Sequence, residues 1–389
     1  MGGHVKEFQR HVQRAFKALK TSSRIDALND FGESLVVLAE DPARFREVST
    51  SWIATLEHLD LTALTPPQWR RLAQVSGMMG LFRANNLMRL RCAESSLLPS
   101  AGGSADVMTR TRALCELDRA DRAVEELSES FRQSRQGVPH PLSRAICAYL
   151  ERLCRRETGS PGLAAEDVHF SRLRTIVAGR RVGIIGNSAS MPDTFADEDV
   201  DVVVRLNVFK ALERDVVIGT SSRPLIVYMN SGQSQRLLRE LNEEDAFARS
   251  LIASSALIVL RAKLGPMRAD VFSVASARPP IHNHGPVIGC QAVFDVVVAG
   301  AKSVKLLGFD FNQSSLIGEE PWKMCHKLGA QGMLSQFEFL RQLHAAGILD
   351  CDDAGAATIR RSTIEYAALL EDLYGDWSVT SPQTVSRPS

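Results

Sequence analysis

Two short apolar runs of this chain each end in an asparagine. The first begins at Arg181 and closes on Gly186-Asn187-Ser188. The second begins at Val200 and closes on Arg205-Leu206-Asn207, and Val217-Ile218-Gly219-Thr220-Ser221-Ser222 follows. If both runs are strands of one open α/β sheet, both amides lie at carboxyl ends, where such sheets bind ligands. An asparagine side chain carries a donor and an acceptor, so it can bridge phosphate oxygens, ribose hydroxyls or a base edge. It also caps turns at strand ends, and that alternative stands beside the first. Gly186 lacks a Cβ and so allows close backbone approach of a nucleotide. Ser188 either donates a hydrogen bond or caps the segment that follows.

Downstream, Gly285-Pro286-Val287-Ile288-Gly289-Cys290 is a turn that opens an apolar helix running to Ala301. A helix amino terminus offers unpaired N–H groups and a partial positive charge. Gly289 and the backbone of Cys290 are therefore candidates for cradling a phosphate or carboxylate, against the plain alternative of a strand-to-helix turn. His282 and His284 flank Asn283 just before this turn and could reach the same anion. A His-x-His pair also suits a metal, but no third ligand is evident, so no metal site is predicted. Neither a Gly-x-Gly-x-x-Gly fingerprint nor a Walker lysine follows the first strand.

These blocks resemble the sialyltransferases. In those enzymes a strand ends in Gly-Asn-Ser, a second ends in Arg-Met-Asn, and an Asp-Val-Gly-Ser segment comes next. The later Pro-x-x-Gly turn, its helix and the Gly308-Phe309-Asp310-Phe311-Asn312-Gln313-Ser314-Ser315 ending are similar to the short sialyltransferase motif and to the bacterial lipooligosaccharide enzymes. The chain departs at Val217, where the families carry an acidic residue, and at Val287 and Ile288, where they carry serine or threonine.

The resemblance covers roughly residues 180 to 350. It implies a metal-independent, inverting transfer of a nonulosonic acid such as sialic acid or Kdo. The donor would be a CMP-sugar, the acceptor a glycan hydroxyl, and no cofactor would be needed. Asn187, Asn207, Gly186, Ser188, Gly289, Cys290 and His284 would then bind the donor, and Asp310 would orient the loops around it. Transfer needs a base for the acceptor hydroxyl and dipolar groups for the departing phosphate. The families place the base in the loop before the helix that starts near Met333, and only His326 lies there. Glu338 stands where the families have the glutamate of their catalytic motif, and would hold loop geometry or a neighbouring helix amino terminus, or face solvent as an ordinary helix residue. Met333 occupies the position of the animal-type histidine. A different nucleotide-dependent transferase, pterin pyrophosphokinase-like or protein-glycosylating, and a catalytically degenerate scaffold remain as alternatives.

The elements that must position these residues follow from periodicity. Up to about Glu157 the pattern is helical, with Val5, Phe8, Val12, Phe16 and Leu19 sharing one face. Gly159-Ser160-Pro161-Gly162 reads as a linker. Beyond it, apolar runs at 181–185, 200–204, 224–228, 256–260 and 303–307 alternate with helical stretches at 233–249 and 290–301. That alternation predicts an α/β fold, a mostly parallel sheet with helices on both faces, preceded by an all-α domain. The resemblance makes it the sialyltransferase-like variant of the GT-A type. The expected domains are residues 1–160, helical and binding an acceptor, a protein partner or an oligomer mate; 165–375, α/β and nucleotide-sugar-binding; and a disordered tail over 376–389.

The 46 basic and 45 acidic residues leave a net charge of +1, which argues against nucleic acid as the main partner. Seven scattered cysteines lack Cys-x-x-Cys spacing and read as reduced thiols. No run approaches the ~20 apolar residues of a membrane span, and Met1-Gly2-Gly3-His4 does not open a signal peptide, so a cytoplasmic location is expected.

Overall fold

The computed structural model describes residues 41–99, 106–133, 141–155, 167–186, 200–208, 223–260, 271–275, 277–281, 285–313 and 321–375, with parts of 31–38. In chain order the helices before the sheet are α1 (Phe45–His58), α2 (Pro66–Met78), α3 (Phe82–Leu97), α4 (Val107–Glu116), α5 (Ala120–Gln133), α6 (Pro141–Cys154) and α7 (Val168–Val177). Strands β1 (Arg181–Ile185), β2 (Val202–Leu206) and β3 (Leu225–Met229) follow, then α8 (Ser231–Asn242), α9 (Ala246–Ser254), β4 (Leu257–Leu260) and β5 (Phe272–Val274). The remainder is α10 (Ile288–Val298), β6 (Ser303–Leu307), α11 (Pro321–Gln331), α12 (Met333–Ala345), β7 (Leu349–Cys351), α13 (Asp353–Ile359) and α14 (Thr363–Tyr374).

The chain forms an α/β fold around a seven-stranded sheet of order β5-β4-β3-β2-β1-β6-β7, every pairing parallel. Four strands (β1 to β4) are apolar almost throughout, because both faces of the sheet are covered. On one face Val203, Leu225, Val227 and Met229 pack with Leu237 of α8 and with Ala248 and Leu251 of α9. The alternate residues face α10, which is buried along its whole length from Gly289 to Val298. Connections from β1 outward lead to β5, whereas β6 returns to the other side of β1. The topological switch therefore lies between β1 and β6.

The predicted strands at 181–185, 224–228, 256–260 and 303–307 match β1, β3, β4 and β6 within a residue, and the run at 200–204 is seated two residues later, as β2. Strands β5 and β7 were not predicted; each has only three residues and lies at a sheet edge. The single helix expected over 233–249 is two. Glu244 adopts φ +61° and Asp245 caps the second helix through Ala248 N–H, so the chain turns between them.

The domain boundary expected near residue 160 is not where the chain divides. One unit takes residues 1–105, 315–335 and 361–389, and the other takes 106–314 and 336–360. Helices α4 to α6, expected in a separate helical domain, belong to the unit of the sheet. Tyr149 of α6 packs at a tilt against Phe294 of α10 and stacks on Phe339 of α12, and Arg152 donates to the carbonyls of Val297, Ala301 and Lys302. The predicted first helix at Val5–Leu19, the linker 159–162 and the tail 376–389 lie outside the described residues.

In the other unit, Trp52, Leu56, Trp69, Leu72, Met79 and Met88 form the core. Buried Glu371 accepts hydrogen bonds from Ser49 Oγ at 2.6 Å and from Arg83 N and Nε at 2.8 and 2.9 Å. Helices α2 and α11 cross at Gly77 and Gly329, and a Cβ on Gly329 would fall on the Gly77–Met78 backbone. All seven cysteines are free, and all but Cys154 are buried. Among the described residues, no helix is long and apolar enough to cross a membrane.

Candidate functional site at the carboxyl edge of the sheet

The two sequence blocks meet at the carboxyl edge, and Phe309 is where they meet. A Cβ added to Gly186, after β1, would stand 3.0 Å from the Phe309 ring, and one added to Gly289, in the first turn of α10, would stand 3.3 Å from the same ring. The Gly289 position also lies 3.4 Å from Leu206, the last residue of β2. Gly186, the Leu206-Asn207 end, the α10 amino terminus and the Gly308-Phe309 end of β6 are therefore neighbours at the topological switch.

Gly186 also has a packing reason that the sequence did not show, because a Cβ there would come within 2.6 Å of the Gly308 carbonyl oxygen. Gly308 is fixed in turn: its φ is +65°, and its N–H donates to Asp352 Oδ2 at 2.5 Å.

Asn207 holds a left-handed conformation, φ +50°, which asparagine tolerates better than most residues. Its Oδ1 accepts the Asn230 N–H at 3.1 Å, and its own N–H donates to the Tyr228 carbonyl. Its Nδ2 makes no hydrogen bond among the described residues. Asn230, at the end of β3, caps α8 through the Gln233 N–H. Two adjacent strands, β2 and β3, thus end in a described asparagine, and the one after β3 escaped the sequence reading although Met229-Asn230-Ser231 shows the same pattern.

At the α10 amino terminus, Val287 caps without a side-chain hydrogen bond, and the first intrahelical bond runs from Gln291 N–H to the Val287 carbonyl. The N–H groups of Gly289 and Cys290 find no acceptor among the described residues. Buried Gln336 holds the approach, its Oε1 accepting the Val287 N–H at 3.2 Å and its Nε2 donating to the Gly285 carbonyl at 3.0 Å. Burial pushes the Cys290 thiol far above its ordinary pKa, so only its backbone is available for chemistry.

Asp310 closes a turn at this edge, its Oδ1 accepting the Asn312 N–H at 3.0 Å, while Phe311 and Asn312 take φ +50° and +60°. Glu338 is buried. Its Oε2 accepts Arg341 Nε at 3.0 Å, and its Oε1 accepts Arg341 Nη2 at 2.7 Å and Gln342 Nε2 at 2.9 Å. Arg341 also reaches Asp118 at 2.9 Å. Both oxygens of Glu338 accept hydrogen bonds within α12, so this buried side chain holds local geometry and does not face solvent.

His326 lies on α11, not in the loop expected there. Met324, Cys325 and Leu328, buried at helical spacing, were the signal for that helix. Partial burial lowers the His326 pKa. Asn187, Ser188, His282, His284 and Val217 fall outside the described residues.

A second polar group lies deeper, under α10. His169 of α7 places Nε2 3.1 Å from Asp295 Oδ2 and Nδ1 2.9 Å from Ser273 Oγ. Tyr228 O–H donates to Asp295 Oδ2 at 3.0 Å, and Gln291 Nε2 donates to Asp295 Oδ1 at 2.8 Å and to the Ala277 carbonyl. Although Ser273, His169 and Asp295 stand in a row, all three are buried, and Asp295 is 0% exposed. No ester or amide can reach the serine. The network instead ties α10 to β3, β5 and α7, satisfying a carboxylate whose burial would otherwise be costly.

Fold and edge together define a parallel α/β protein in which the ends of β1, β2 and β6 and the α10 amino terminus meet at the topological switch. Comparison with protein-family models, curated proteins and solved structures gives no match.

Proposed function

We propose that the carboxyl edge binds the nucleotide of a CMP-activated nonulosonic acid and that the protein transfers this sugar, with inversion, to a glycan hydroxyl. The observation carrying the reading is the convergence on Phe309 of Gly186, Leu206-Asn207 and Gly289, the blocks that resemble the two sialyltransferase motifs. The Asn207 Nδ2 and the N–H groups of Gly289 and Cys290, which have no acceptor among the described residues, supply donors suited to ribose and phosphate oxygens.

In this reading the α10 dipole and its N–H groups stabilise negative charge as the glycosidic C–O bond to phosphate breaks and CMP departs. The acceptor hydroxyl attacks the anomeric carbon and gives its proton to a base. The resemblance alone assigns that base to His326, a residue of the other unit, and burial lowers its pKa, which favours the neutral imidazole that accepts a proton.

Calorimetric titration with CMP, UMP and AMP in the presence of a chelator tests the reading. Cytidine-selective binding is the expected result, accompanied by slow hydrolysis of a CMP-sugar that His326→Ala abolishes while CMP still binds. Equal binding of the three nucleotides, or none, would overturn it.

A further inference from the structure

Arg205 stands on β2 two residues before Asn207, in register with Ile185 of β1 and Val227 of β3. By strand alternation it shares the face of Val203, which packs toward α8 and α9. Its two cross-strand neighbours are fully buried aliphatic residues, and neither adjacent strand offers a carboxylate at that level. The guanidinium is only partly exposed, and burial alone lowers its pKa, with no acidic group acting on it. It makes no hydrogen bond or ion pair among the described residues, in contrast with Arg181, Arg236 and Arg341, which are all paired.

A desolvated, unpaired guanidinium destabilises a fold, and the usual remedy is a buried carboxylate. Among the described residues that remedy is lacking, and Arg205 stands two residues before the strand end, on the α8/α9 face of the edge where α/β sheets bind ligands. We propose that Arg205 is the oxyanion-binding side chain of this crevice, forking onto the phosphate or the carboxylate of the bound ligand. The assignment rests on the ligand-binding reading of the edge and deepens it by naming the group that meets the negative charge. A planar fork with parallel N–H donors suits either oxyanion.

The test compares wild type with Arg205→Met and Arg205→Lys by thermal unfolding and titration, using CMP, cytidine, inorganic phosphate and free N-acetylneuraminate as probes. Without ligand, Arg205→Met should raise Tm by about 2–4 °C, because removing an unpaired buried charge relieves its desolvation. The same variant should bind CMP about 10- to 100-fold more weakly, with cytidine unaffected. Arg205→Lys should recover part of the loss, since it restores the charge but not the fork. A selective loss for N-acetylneuraminate instead of CMP and phosphate would place the sugar carboxylate on Arg205. If Arg205→Met loses phosphate binding while CMP binds wild type no better than phosphate does, the anion site stands and the cytidine reading fails. A fall in ligand-free Tm, or wild-type affinities retained by Arg205→Met for every anion, would overturn the proposal.

Discussion

Gly186 and Gly308 approach so closely that a Cβ on the first would stand 2.6 Å from the carbonyl oxygen of the second. This contact joins the ends of β1 and β6, the two strands between which the connection reverses. Gly186→Ala must push them apart, and overpacking of this kind costs about 1–3 kcal/mol. Urea unfolding should show a lower midpoint at unchanged slope, and CMP titration should show weaker binding because the crevice is displaced.

Asn207 holds a left-handed turn and, in the proposed reading, contacts the nucleotide, and two substitutions separate these roles. Asn207→Gly keeps the left-handed conformation and loses the bond to Asn230, a cost of about 0.5–1.5 kcal/mol. Asn207→Ala adds about 1–2 kcal/mol of left-handed strain. Both should lose nucleotide affinity by a similar factor, about tenfold, if Nδ2 contacts the ligand. Parallel unfolding and titration curves make the check, and an affinity loss tracking stability alone would count against the contact.

The pH dependence of transfer should reflect the lowered pKa of His326, which burial causes. A base works in its neutral form, so the acid limb of kcat should fall below the ordinary histidine range and vanish in a His326→Gln variant with residual turnover. Stability carries the same sign. The unfolded chain takes up the proton first, so this residue's linkage lowers stability as pH falls through its unfolded pKa toward the folded value. Denaturation midpoints of wild type and His326→Gln should diverge in that window.

The row of Ser273, His169 and Asp295 should prove structural. Ser273→Ala leaves donor turnover unchanged, whereas Asp295→Ala leaves Tyr228, His169 and Gln291 without their shared acceptor. The second change should cost about 1–3 kcal/mol for each buried donor left without an acceptor. Loss of turnover in a fully folded Ser273→Ala protein would reverse this assignment.

At the carboxyl end of α10, Arg152 satisfies carbonyls that a helix end otherwise leaves open. Arg152→Ala should lower stability by about 1–3 kcal/mol, as for other hydrogen bonds to a charged group, and leave CMP affinity intact. Chemical denaturation paired with titration distinguishes this from a change at the site.

The sequence by itself determined the parallel sheet and its central strands, because a strand buried on both faces must be apolar along its length, as Val202–Leu206 and Leu225–Met229 nearly are. It also placed the asparagines at strand ends, where apolar runs stop. Only the tertiary structure decided which chain segments form each unit. Ser49 and Glu371 are 322 residues apart and hydrogen-bonded, and no local pattern encodes such a pairing. Tertiary contact likewise brought the Gly308 carbonyl against Gly186, committed Glu338 to Arg341, and left Arg205 without a partner among the described residues. Spacing along a chain records which face a residue shares with its near neighbours; what occupies the space opposite is set by segments that arrive from elsewhere.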